Sequence, residues 1–138
     1  MITAVDTNIL LDVFLPDKTH GPRSQLSLKN AYDRGAILVS DVVYAELVPL
    51  FGNRAPLDQA LRRISATVSP IDTDIAFEAG VRWWKYRQAG RSRSRIITDF
   101  LIGAHALIRS DSFLTRDQGF FTTYFPELQG IAGWALGG

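Results

Sequence analysis

Four acidic residues, Asp6, Glu46, Asp99 and Asp117, are the strongest candidates for chemistry in this sequence. Asp6 directly follows a short apolar run, and Asp117 comes shortly after another one. Glu46 and Asp99 each lie in a segment that is otherwise almost entirely apolar, where an unpaired carboxylate is costly to bury. We therefore expect each of these carboxylates to have a specific partner.

If these carboxylates lie close together in the folded protein, the chemistry they favour is the binding of a divalent cation. Their mutual repulsion raises their pKa values unless a divalent cation lies among them. Ligand sets made only of oxygen favour Mg²⁺ or Mn²⁺ over zinc, and such ions support phosphodiester hydrolysis without a histidine or cysteine. The sequence contains no cysteine, which excludes cysteine nucleophiles and cysteine-bound zinc. Of the two histidines, we expect His105 to be packed and His20 to have no catalytic role.

Three of the four acids also have a purely structural interpretation. Asp99 can stabilise a helix N-terminus, Asp6 can cap a helix, and Asp117 can form a turn beside Gly119. Glu46 is harder to explain in this way, because no Lys or Arg lies one helical turn from it. The occurrence of all four acids together favours the functional interpretation.

Short apolar runs of strand length alternate with helical periodicity along the chain. Strands are predicted at 2–5, 36–39, 67–69 and 112–115. Helices are predicted from the Thr7–Asn8 cap onward and at 24–34, 42–51, 57–66, 74–88 and 99–109. This alternation predicts an α/β fold, a three-layer α/β/α sandwich with a central parallel sheet. Ligand sites in such sheets lie beyond the carboxyl ends of the strands, where Asp6 and Asp117 fall.

The composition fits one domain over residues 1–138, with the tail from about residue 130 expected to fray. Hydrophobic residues make up 46% of the chain and charged residues 21%, which excludes disordered and fibrous classes. No signal peptide is visible, and no apolar run reaches the roughly 18 residues of a membrane span. We therefore expect a cytoplasmic protein without a membrane partner.

One segment is locally basic, although the net charge of the chain is only +1. Six Lys and Arg residues and no acid occur from Arg82 to Arg95, with Trp83, Trp84 and Tyr86 among them. Such a segment suits phosphate contacts and base stacking on single-stranded RNA. The alternative is a solvated helix end with the tryptophans in the core or at a dimer interface. The candidate RNA-binding residues are Arg87, Arg91, Arg93, Arg95 and Arg116.

Four segments resemble, in order, the motifs of the PIN domain family and within it those of the VapC-type toxin ribonucleases. They are VDTNILLD from Val5, YAEL from Tyr44, TDFLIGAHA from Thr98 and LTRDQGF from Leu114. Their order and spacing extend over nearly the whole chain. The stretch after Asp117 lacks a further carboxylate that some relatives carry, so the resemblance does not decide between one and two metal ions.

The resemblance implies a PIN-like fold and an endoribonuclease that depends on Mg²⁺ or Mn²⁺. The metal-binding and catalytic acids of such an enzyme would be Asp6, Glu46, Asp99 and Asp117. Asn8 and Thr115 would be their polar support. The resemblance also implies an RNA substrate, a homodimer and a cognate antitoxin protein. The alternative is a catalytically weak PIN-fold scaffold or regulatory interaction protein, and the four intact acids argue against it.

Overall fold

A parallel sheet lies at the centre of the molecule in the computed structural model, which describes residues 1–15, 17–90, 96–128 and 132–133. Within these residues the strands are β1 (Ile2–Val5), β2 (Ala36–Ser40), β3 (Ala66–Ser69), β4 (Ser112–Leu114) and β5 (Ala132–Gly133). Their order in the sheet is β3-β2-β1-β4-β5, and all the pairings are parallel. The chain thus moves in one direction from β1 to β3 and in the other from β4 to β5. The strand order reverses between β1 and β4.

Helices cover the sheet and complete the predicted α/β/α architecture. In the described part of the chain they are α1 (Thr7–Phe14), α2 (Gly21–Arg34), α3 (Asp41–Phe51), α4 (Arg54–Arg63), α5 (Thr73–Gln88), α6 (Ile97–Arg109) and α7 (Gln118–Tyr124). The helix α1 packs on α2, α5 packs on α6, and both α2 and α6 contact β1. None of these helices is long and apolar enough to span a membrane.

A cluster of aromatic side chains fixes α6, the helix that carries Asp99, against the rest of the core. Phe100 is fully buried, and its ring centroid lies 5.4 Å from that of Phe120 and 6.1 Å from that of Phe125. Phe125 approaches α6 so closely that a Cβ atom at Gly103 would lie 2.5 Å from its ring. The first turn of α6 is therefore held by tight packing immediately after it.

Several helix ends differ from the prediction. The cap of α1 is Asp6, whose side chain accepts a hydrogen bond from the Thr7 backbone. This confirms the structural interpretation of Asp6, whereas the alternative cap at Thr7 or Asn8 is wrong. The helix α4 begins at Arg54, earlier than predicted, because a proline such as Pro56 is tolerated in the first turn of a helix. It also ends earlier, at Arg63, and Ser65 just beyond it has a positive φ of 57°, which does not continue a helix. Likewise α6 begins at Ile97, two residues before the predicted start at residue 99.

Two elements near the end of the chain were not predicted. A turn was expected at residues 117–119, but α7 forms there and buries Phe120 and Phe121. The strand β5 lies in the tail that was expected to fray, and it pairs with Phe113 and Leu114 of β4. The prediction of fraying for the remaining tail falls on 129–131 and 134–138, which lie outside the described residues.

Candidate active site

Asp6 lies at the carboxyl end of β1, beside the point where the strand order reverses. Val5 is in register with Leu114 of β4, and the Asp6 backbone N–H donates to the Leu114 carbonyl at 2.9 Å. The Asp6 side chain is only 7% exposed. Its Oδ2 accepts hydrogen bonds from Thr115 Oγ1 at 2.7 Å and from Asn8 Nδ2 at 3.2 Å. Both predicted support residues therefore contact the same carboxylate.

The electrostatic environment of Asp6 links it to two other predicted acids. Burial raises the pKa of Asp6 to about 6, while hydrogen bonds from the Thr115 hydroxyl and the Thr7 backbone lower it. The negative charges of Glu46 and Asp99 raise the same pKa further. A desolvated carboxylate near like charges is stabilised in its ionised form by a cation. Glu46 and Asp99 therefore lie close enough to Asp6 for their charges to act on its carboxyl group.

Glu46 reaches the site from α3 and bonds to the residue after Asp6. Thr7 Oγ1 donates to Glu46 Oε1 at 2.5 Å. The expectation that Glu46 is enclosed in a buried helix is wrong, because its side chain is exposed. In α3 the buried residues are Val43 and Leu47, so this apolar helix packs through one side and leaves another open to the site. The predicted partner exists, but it is a hydroxyl group.

Asp99 and Asp117 are both half-buried and both belong to the N-terminal region of a helix. Asp99 Oδ2 accepts from the Ile96 backbone N–H at 3.4 Å, so the structural interpretation of Asp99 holds alongside its place near Asp6. The Asp117 backbone N–H donates to Thr115 Oγ1 at 3.0 Å. Since the same hydroxyl donates to Asp6, Thr115 links the Asp6 carboxylate to the backbone of Asp117.

The four acids supply ligand atoms suited to a hard divalent cation, although their carboxylates are not drawn tightly together. No three of them bring ligand atoms within 4.8 Å of one another, a condition that Asp12, Asp17 and His20 meet among the described residues. Carboxylates without a cation between them repel, which favours such a spacing. The donor set is purely oxygen and includes a buried carboxylate, and both features fit Mg²⁺ or Mn²⁺.

The group of Asp12, Asp17 and His20 is a less suitable cation site despite its close geometry. Asp12 is 3% exposed and already accepts two hydrogen bonds from the Arg116 guanidinium, at 2.7 and 3.1 Å. Ser24 Oγ donates to it at 2.7 Å. Asp17 caps the turn before α2, and its other oxygen lies 3.3 Å from His20 Nδ1. A cation here would compete with a guanidinium already bound to the same carboxylate.

Asp12 is a site neighbour that the sequence reasoning missed. It lies in α1, six residues after Asp6, among buried residues that include Ile9 and Leu10. An acid on the apolar side of an amphipathic helix was the available signal, because such an acid needs a partner. The same reasoning had been applied to Glu46 and Asp99.

The predicted RNA-binding residues have different environments. Arg87 is exposed, with its guanidinium carbon 4.8 Å from the centroid of the Trp83 ring. Arg116 is engaged with Asp12, and its RNA contact stays a prediction. Arg91, Arg93 and Arg95 lie outside the described residues. Within the same basic segment, Arg82 is bound to Glu78 and Glu127 and joins α5 to the residues that follow α7.

His105 belongs to the core, as predicted. It is 1% exposed, and burial lowers the pKa of its imidazole. Its Nε2 atom has no hydrogen-bond partner within the described part of the chain. The residue is a neutral packing group.

Comparisons with known proteins give one family and one fold. The family model described as "PIN domain" matches residues 3–126. The solved structure of VapBC2 from Rickettsia felis, bound to a promoter DNA fragment, has a TM-score of 0.71 at 20% identity, covering 98% of this chain and 100% of that chain. A toxin–antitoxin complex from Klebsiella pneumoniae has a TM-score of 0.62 at 20% identity, covering 86% and 89%.

A further similar structure is VapC20 from Mycobacterium tuberculosis, a sarcin–ricin-loop-cleaving toxin. Its TM-score is 0.57 at 17% identity, and the match covers 86% of this chain and 93% of that chain. At such identities the likeness to the solved structures concerns the fold alone. A search of the curated proteins finds no match.

Proposed function

The chain belongs to the PIN domain family, and from this premise we propose that it is a metal-dependent endoribonuclease, the toxin of a VapBC-type toxin–antitoxin pair. The observation that carries the proposal is the buried Asp6 carboxylate at the point where the strand order reverses, with Glu46 and Asp99 close enough to raise its pKa. A structural acid in a core is normally paired with a cationic group or fully hydrogen-bonded. Both oxygens of Asp6 accept hydrogen bonds, but within the described residues no Lys or Arg pairs with it, and the negative charges of Glu46 and Asp99 favour a cation from solution.

Mg²⁺ or Mn²⁺ is the proposed cofactor. Its ligands would be Asp6, Glu46, Asp99 and Asp117. When bound, such an ion activates water and stabilises the oxygens of a phosphodiester displacement. The protein contributes the orientation of the ligands. Thr115 and Asn8 donate to one oxygen of Asp6, the Thr7 backbone donates to the other, and the Thr7 hydroxyl holds Glu46.

The proposed substrate is RNA with an accessible single-stranded stretch. Arg87 over the Trp83 ring presents a cation and an aromatic face together, a combination that suits phosphate and base contacts. The further contacts proposed from the basic segment are those of Arg91, Arg93 and Arg95. The RNA cleavage stated for VapC20 supports the substrate class.

Two protein partners are part of the proposal. The first is an antitoxin, which is supported by the fold shared with toxin–antitoxin complexes. The second is another copy of this chain, for which α5 offers an exposed aromatic surface with Trp84 at 59% exposure. We place the protein in the cytoplasm, the compartment in which such a toxin meets its RNA.

The decisive experiment is cleavage of a mixed RNA pool by the purified protein with Mg²⁺ or Mn²⁺ and with EDTA. Asp99→Asn is tested beside Asp74→Asn, a matched control because Asp74 is an exposed acid in the first turn of α5. We expect cleavage that requires metal. Loss of the Asp99 charge should lower its rate by about 100-fold or more, because a metal ligand is removed, while Asp74→Asn keeps the wild-type rate.

Three outcomes contradict this proposal. Cleavage that persists in EDTA, or that Asp99→Asn leaves unchanged, removes the assigned acids from the reaction. Metal binding without cleavage of any RNA by the wild-type protein favours the alternative of a PIN-fold scaffold.

A further inference from the structure

A largely buried ion pair joins α1 to the loop between β4 and α7. Arg116 Nε donates to Asp12 Oδ2 at 2.7 Å, and Arg116 Nη2 donates to Asp12 Oδ1 at 3.1 Å. Ser24 of α2 donates its hydroxyl to Asp12 Oδ2 at 2.7 Å. The side chain of Asp12 is 3% exposed and that of Arg116 is 29% exposed. Two consecutive helices and a segment 104 residues further along the chain thus meet on one carboxylate.

Arg116 lies between two residues of the candidate active site. Thr115, directly before it, donates to Asp6 and accepts from the backbone of Asp117, directly after it. The backbone N–H of Arg116 donates to Asn8 Oδ1 at 3.2 Å, and Asn8 in turn donates to Asp6. Any displacement of Arg116 therefore shifts the groups that orient the Asp6 carboxylate and the backbone that carries Asp117.

We propose that Asp12, Arg116 and Ser24 are positioning residues for the acids of the active site. A guanidinium bound through two nitrogens to both oxygens of a carboxylate is fixed in direction as well as in distance. The pair therefore anchors residues 115–117 against α1. This inference rests on the proposed function, because the position of Asp117 relative to Asp6 matters for chemistry only if the two hold the same cation.

The ion pair assigns Arg116 a role different from the RNA contact expected from its charge. An arginine that contacts phosphate acts on substrate binding, and its removal weakens that binding and reduces its salt dependence. A positioning arginine acts on the metal ligands, so its removal weakens metal binding and slows turnover. An RNA contact would also leave Asp12 without influence on the reaction. The two roles are therefore separable by measurement.

The test uses the full-length protein with Asp12→Asn, Arg116→Gln, the double variant, and Ser24→Ala as the mildest change. Asp33→Asn is the matched control, because Asp33 is an acid of α2 that is 54% exposed and forms a surface contact at 3.1 Å with the exposed Lys29. Mn²⁺ affinity is measured by electron paramagnetic resonance. The kcat and KM for RNA are measured over a Mg²⁺ titration, and circular dichroism checks the fold of each variant.

We expect Asp12→Asn and Arg116→Gln each to weaken Mn²⁺ binding and lower kcat by about 10- to 100-fold, with KM changed by less than about 2-fold. The double variant should be no worse than the single ones, because both substitutions break the same pair. Ser24→Ala removes one hydrogen bond and keeps the ion pair, so it should shift both quantities in the same direction by a smaller factor. The control should match the wild type.

Folded variants that bind Mn²⁺ as tightly as the wild type overturn the positioning role. So does an Arg116→Gln variant with a raised KM when Asp12→Asn is unaffected, because that pattern identifies an RNA contact. If the wild type binds Mn²⁺ but cleaves no RNA, the proposed function fails, while the affinities of the variants for Mn²⁺ still decide the positioning role. A folded wild type that binds no Mn²⁺ overturns both.

Discussion

The proposed chemistry needs Asp6 in its ionised form, but ionisation of this buried carboxyl group destabilises the folded protein. Its pKa rises from 3.8 to about 6 on folding, chiefly because burial disfavours the charged form. Below pH 3.8 the carboxyl is protonated in both the folded and the unfolded protein, so the shift has no effect on stability. Between pH 3.8 and about 6 the unfolded chain ionises while the folded protein stays protonated, so the free energy of unfolding falls over this range and reaches its lower value above pH 6. The free energy of unfolding is then lower by about 3 kcal/mol.

Removing the charge of Asp6 should therefore stabilise the metal-free protein above pH 6. We expect Asp6→Asn to raise the free energy of unfolding at pH 8 by about 1 to 3 kcal/mol, with little gain at pH 4. Urea unfolding in EDTA at both pH values measures this, with Asp74→Asn as the control for loss of an exposed acid. Addition of Mg²⁺ should stabilise the wild type but not Asp6→Asn. Equal stabilities of the wild type and Asp6→Asn at pH 8 in EDTA would show that the buried charge is balanced within the protein.

Residue types predicted the acids, but not all of their surroundings. The position of Asp6 after the first strand made it a candidate, whereas Asn8 and Thr115 became candidates through the resemblance to the PIN motifs, and the structure places both next to Asp6. The Asp12–Arg116 pair was missed because its partners are 104 residues apart, and an arginine looks the same in sequence whether it faces RNA or a buried carboxylate. The exposure of Glu46 was missed because an apolar helix does not reveal which of its sides is packed.

The helix α6 depends on glycine to bring Asp99 into place. Gly103 lies one turn after Asp99, at the point where Phe125 packs against the helix. Gly80 in α5 is also a helical glycine, but nothing lies within 4 Å of where its Cβ would be. Substitution at Gly80 thus reports only the general preference of helices for alanine over glycine. Substitution at Gly103 also reports the packing of Phe125 against the helix.

Substitution of these two glycines by alanine should have opposite effects on stability. Gly103→Ala should lower the free energy of unfolding by about 1 to 3 kcal/mol, because the Phe125 ring must move within a packed core. Gly80→Ala should raise it by up to about 1 kcal/mol, since alanine loses less conformational entropy in a helix. Urea denaturation of both variants measures the difference. A Gly103→Ala variant as stable as Gly80→Ala would mean that Phe125 does not hold α6.

The helices and strands with clear local signals were predicted well, and those made by distant contacts were not. Gly35 follows the last residue of α2, and Asp72 caps α5 by accepting from the Ile75 backbone, so both helix ends carry residue types typical of their positions. The helix α7 has only seven residues and is buried through Phe120 and Phe121, so packing rather than periodicity determines it. The strand β5 exists through its pairing with β4, which no local pattern reveals.

One side of α5 carries no charged residue although it faces solvent. Positions one or two turns apart share a helix face, and the stripe consists of Thr73, Phe77, Gly80, Trp84 and Gln88. Phe77 is 74% exposed and Trp84 is 59% exposed. Large aromatic residues that lie together on an exposed face are typical of an interface. The neighbouring Trp83 packs against the core, so the two tryptophans point in different directions, as expected from their adjacent positions.

Substitutions on the uncharged face of α5 test whether this face forms the interface of the proposed homodimer. We expect the wild type to be a dimer when its mass is measured by light scattering after gel filtration. The double variant Phe77→Ser with Trp84→Ser should be a monomer, because the substitutions remove the apolar contact area of the dimer. Its circular dichroism spectrum should be unchanged. Leu26→Ser is the control, since Leu26 is an exposed apolar residue of α2 at 39% exposure. A double variant that stays dimeric would place the interface elsewhere. A monomeric variant that keeps its metal-dependent cleavage would show that each copy holds a complete set of acids, whereas lost cleavage would make the second copy part of the site.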